Sequence, residues 1–122
     1  MTLWDMIERI REMPGGILGA PSARTLNAFL FGFSYARKDE GQDDFKVLSG
    51  FSQFVHDRFR ITSTQGWAKI IEFYTNTESD QMALFWKLWD EYCDKLGTTG
   101  RARQRNGEAT KTKGRKKVRL PA

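Results

Sequence analysis

Between Ser63 and Leu96 the apolar positions form two helical stripes. Trp67, Ile70, Ile71 and Tyr74 recur at steps of three and four, and Phe85, Leu88, Trp89, Tyr92 and Leu96 repeat the pattern. Such spacing lines one face of a helix with 3.6 residues per turn, so two amphipathic helices are predicted. Thr75-Asn76-Thr77-Glu78-Ser79-Asp80 divides them. Thr77 is placed to cap the second helix, and Asp80 occupies the acidic position of a capping box. Three of the four tryptophans lie in this stretch. Aromatic side chains bury large areas, so the pair is the expected core for the helices that precede it.

Upstream, the pattern predicts a first helix over Leu3 to Glu12, with Thr2 as cap, Asp5 three residues later, and Leu3, Met6, Ile7 and Ile10 on its apolar side. Pro14-Gly15-Gly16 is expected to stop it, since proline cannot continue a helix. Ile17 and Leu18 are expected to pack back on the core. Ser22 is suited to cap a second helix carrying Leu26, Phe29, Leu30 and Phe33. Gly32 inside it costs about 1 kcal/mol relative to alanine, which suggests close approach of a neighbouring helix. The segment from Arg37 to Asp44 reads as a solvated loop, and a shorter third helix is expected after Ser49-Gly50, burying Phe51, Phe54, Val55 and Phe59. Ser63 or Thr64 is the expected cap of the next helix. Strand-like alternation is not sustained anywhere. The fold class is all-α: a compact bundle of about five amphipathic helices followed by a disordered basic C-terminal tail.

The composition changes after Leu96. Nine Lys and Arg against one acid give residues 97–122 a charge of +8, whereas residues 1–96 carry eleven basic and fourteen acidic groups, or −3. The net +5 therefore conceals an acidic body and a cationic tail. The division is a helical globular domain over 1–96 and a basic tail over 97–122. The tail has too few apolar residues to offset its ordering entropy. No apolar run approaches the roughly 20 residues that span a bilayer, and no secretory signal opens the chain, so a cytoplasmic location is expected.

Catalytic patterns are weak. The lone Cys93 excludes an intrachain disulfide, and with His56 as the single histidine no four-ligand metal site closes without carboxylates. Asp43-Asp44 and Asp90-Glu91 are adjacent pairs, and adjacent residues on a helix diverge by about 100 degrees, so neither forms facing carboxylates. His56-Asp57 has the same geometry and no serine or cysteine at a spacing that completes a triad. Pro14-Gly15-Gly16-Ile17-Leu18-Gly19 resembles a glycine turn of the gyrase-type ATPases, but none of that family's later nucleotide-binding pattern follows. No enzyme, cofactor or metal is expected.

The order of pieces from Leu3 to about Tyr92 resembles a group of small bacterial helical proteins, similar in character to immunity proteins that neutralise toxins. The pieces are Pro14-Gly15 with Ile17-Leu18-Gly19 and Ser22, Phe29-Leu30 with Gly32-Phe33, Gly50-Phe51 with Phe54-Val55, Trp67-Ala68 with Ile70-Ile71 and Phe73-Tyr74, and an acidic, aromatic last helix. The resemblance implies a non-enzymatic binding protein, an immunity-like inhibitor with a basic toxin as the kind of partner. Asp39, Glu40, Asp43, Asp44, Asp80, Asp90, Glu91 and Asp94 are the expected contact residues, because acidic surfaces steer towards basic partners. The alternative is a nucleic-acid-associated protein that holds RNA or DNA through Arg101, Arg103, Arg105, Lys111, Lys113, Arg115, Lys116, Lys117 and Arg119. No aromatic follows Tyr92, so the tail offers no base stacking.

Overall fold

Capping side chains set the starts of three helices. In the computed structural model, which describes residues 1–40 and 43–97, Thr2 Oγ1 accepts from the Asp5 amide while Asp5 accepts from the Thr2 amide, and α1 runs Leu3–Glu12. Ser22 and Thr25 form the same reciprocal box at the start of α3, Ala23–Ala36. Thr77 Oγ1 accepts from the Asp80 amide at the start of α6, Glu78–Lys95. Each cap satisfies amides that the first turn leaves without partners, and at α6 the structure shows the Thr77 half of the expected box alone.

The other elements depart from the expected pattern. Pro14 begins a short helix, α2, Pro14–Leu18, because a missing amide costs nothing at a first helical position. Ile17 and Leu18 pack on the core as expected. A 3-10 turn over Lys38–Glu40 follows α3. Helix α4 spans Asp44–Phe59, starting a turn and a half before the expected Ser49-Gly50. It ends at Arg60, the one described non-glycine residue with positive φ, at 56°. Helix α5, Trp67–Phe73, is capped by Gly66 and not by Ser63 or Thr64. The count is thus six α-helices, with no strand among the described residues.

Phe51 of α4 is the hub. Its ring is fully buried and meets Trp67, Phe85, Trp89 and Tyr92 edge-on at centroid separations of 5.1–5.5 Å. Burying such a ring contributes about 1.5–3 kcal/mol, and each edge-to-face pair adds about 0.5–1.5 kcal/mol. Trp4 of α1 closes the cluster against Trp89 at 5.2 Å. Helix α5 lies against α3, α4 and α6, so the aromatic pair of elements is the core foreseen from periodicity. Tyr74 is the exception on its stripe: it is exposed and stacks on Phe59 at 4.5 Å. No helix among the described residues is long and apolar enough to cross a membrane.

Candidate functional site

The residues best suited to chemistry are engaged in structure. His56 places Nδ1 2.8 Å from the Ser52 carbonyl and Nε2 3.1 Å from the Ser63 carbonyl. It therefore braces the connection between α4 and α5. Cys93 is buried in the core cluster. Among the described residues no group of three His, Cys, Asp or Glu side chains could hold a metal ion.

The eight acidic residues divide into separate groups. Asp80, Asp90 and Asp94 are exposed and share the outer face of α6 with Lys87; the stripe extends about 21 Å at 1.5 Å per residue. Asp90 receives a 2.7 Å bond from Arg11 and Glu91 a 2.9 Å bond from Arg58. Partly solvated pairs of this kind contribute about 0–1 kcal/mol. Asp39, Glu40 and Asp43 are exposed between α3 and α4.

Asp44 is a correction to the expected acidic contact face. It is 6% exposed, and its carboxylate accepts from Arg37 Nε at 2.9 Å. Arg37 also donates to the Met1 carbonyl and lies 5.0 Å over the Phe33 ring. The Asp44 hydrogen bond raises the Arg37 pKa against the opposing effect of burial. This clamp ties the end of α3 to the first turn of α4, which is why the segment read as a solvated loop contains a helix start.

The clamp also fixes a surface that sequence reasoning missed. Asp44 precedes Phe45, whose ring meets the Phe31 ring edge-on at 5.5 Å. Phe31 lies 6.3 Å from Tyr35, and Lys38 Nζ sits 4.3 Å over Tyr35. Phe31 and Tyr35 are 58% and 56% exposed. Beside them Ala28, Gly32 and Ala36 are also exposed. A Cβ built on Gly32 meets nothing within 4 Å, so no described neighbour approaches it, contrary to the expectation from its helix cost. Helix α3 buries Ala23, Leu26, Leu30 and Ser34 on its inner side, yet its outer side is also mostly apolar. Helices apolar all round are ordinarily covered all round. The signal was present in sequence, since few positions from Ala23 to Ala36 are polar.

A second set of three rings, Phe59, Phe73 and Tyr74, lies at the ends of α4 and α5, where Phe73 is 78% exposed and meets Tyr74 edge-on. It has no adjoining small-residue surface on a long helix. The nine basic residues from Arg101 to Arg119 lie outside the described residues, as does the expectation of a disordered tail. No family model, curated protein or solved structure matches the chain.

Proposed function

We propose that this chain is a non-enzymatic protein-binding domain that engages its partner through the outer face of α3 and the adjoining Phe45. The observation that carries the reading is an exposed, contiguous group of three aromatic rings, Phe31 and Tyr35 on a helix that is apolar on both sides and Phe45 on the first turn of α4. Exposed apolar surface of this kind is characteristic of interaction faces, and aromatic residues are enriched at them. The outer carboxylates of α6 add long-range attraction for a basic protein, which is the support for the narrower, immunity-like reading in the cytoplasm.

A photo-crosslinking phenylalanine analogue at Phe31, with a second at exposed Lys69 as reference, tests the reading in cells. Crosslinks to protein from position 31, retained when the chain ends after Gly97, are the expected outcome. Crosslinks to RNA or DNA instead, lost on that truncation, would transfer the function to the basic segment.

A further inference from the structure

We infer that His56 is a proton-operated latch on the connection between α4 and α5: its imidazolium ties Ser63 to the last turn of α4, and loss of the ring proton frees residues 62–66. The inference stands apart from the α3 surface. Both ring nitrogens lie at hydrogen-bond distance from carbonyl oxygens, Nδ1 2.8 Å from that of Ser52 and Nε2 3.1 Å from that of Ser63. A carbonyl oxygen can only accept, and a neutral imidazole has one N–H and one bare lone pair. Only the cation donates to both. His56 also lies in the last turn of α4, and the negative end of a helix favours positive charge.

The two bonds differ in what they hold. Ser52 belongs to α4 itself, and its contact is the shorter and the more buried, so a neutral ring keeps its proton on Nδ1 and gives up Ser63. The lone pair of Nε2 then faces the Ser63 carbonyl oxygen, and the two repel. Thr62, Ser63, Thr64, Gln65 and Gly66 are all exposed, so burial does not hold the segment in place. The Gln65 amide donates to Ser63 Oγ at 3.5 Å, a bond internal to the segment. Charged side chains from the elements that meet there are Asp57, which accepts from Gln53, Arg58, which pairs with Glu91 of α6, Arg60 at the end of α4, and Lys69 and Glu72 of α5, the latter paired with Arg24. Residues 61–66 contain no ionisable side chain. Carboxylates, lysine and arginine ordinarily titrate outside about pH 5–8, the window in which histidine changes charge. His56 is the single histidine of the sequence, so among side chains a response of the connection within that window belongs to it.

Nuclear magnetic resonance of the full chain at about pH 5 and about pH 8 tests the latch. Nitrogen-15 shifts of the ring report its charge, and Cα–H relaxation reports the order of the connection at both values. With the ring charged, order parameters of about 0.85 are expected at Ser63 and Thr64; with it neutral, they should fall below about 0.6. His56→Phe keeps a ring of similar shape but has no N–H, and should show the low values at either pH. Connection order that is unchanged or higher at the alkaline value overturns the inference, as does an equal pH response in His56→Phe. The wild-type comparison decides the matter by itself if that variant does not fold.

Discussion

Arg37 and Asp44 meet where water scarcely reaches, with side chains only 13% and 8% exposed. Removing one partner of a buried pair leaves the other charge uncompensated, at a cost of about 3–5 kcal/mol. Arg37→Ala is therefore expected to lower the unfolding free energy by about 3 kcal/mol in urea titration. It should also weaken association through Phe31, because Phe45 loses its anchor. Unchanged stability and association would show that the clamp organises nothing. The raised Arg37 pKa contributes stability that is fully present below arginine's ordinary value and is lost only as pH rises through the still higher folded one. Stability owed to the guanidinium should accordingly stay level from neutrality to about pH 10.

At the scale of elements, α4 and α6 touch with almost no tolerance at Gly50. A Cβ there would lie 2.6 Å from the Tyr92 hydroxyl oxygen, which donates to the Val47 carbonyl at 3.0 Å. Gly50→Ala gains helix propensity of about 1 kcal/mol, but overpacking of this kind costs about 1–3 kcal/mol. The predicted balance is a net loss, and Tyr92→Phe, which removes the obstructing oxygen, should turn the same substitution into a gain. A double-mutant cycle by thermal unfolding measures this; a Gly50→Ala loss that persists beside Phe would refute the steric cause. Elements with side-chain caps were legible from sequence: Thr2, Ser22 and Thr77 each start the helix assigned to them. The early part of α4 was not, because Asp43 and Asp44 look solvated until Arg37 is placed beside them. Helix α2 was hidden by Pro14, which serves equally as terminator and first residue. The α3 surface was not legible because Leu26, Phe29, Leu30 and Phe33 already form an inner stripe, and the periodicity does not distinguish an exposed Phe31 and Tyr35 from further core.

For the whole molecule, every buried residue of the hydrophobic cluster among the described residues lies between Leu3 and Cys93. A chain ended after Gly97 should therefore unfold cooperatively within about 2 °C of the full chain, less than the shift that 1 kcal/mol produces in a domain of this size. A broad, non-cooperative transition in calorimetry would show that the basic segment supports the fold. The contact between Trp4 and Trp89 has a further consequence for synthesis. Helix α1 finds its tryptophan partner only after α6 has been translated, so a nascent chain carries Trp4 without that cover until Trp89 has been made.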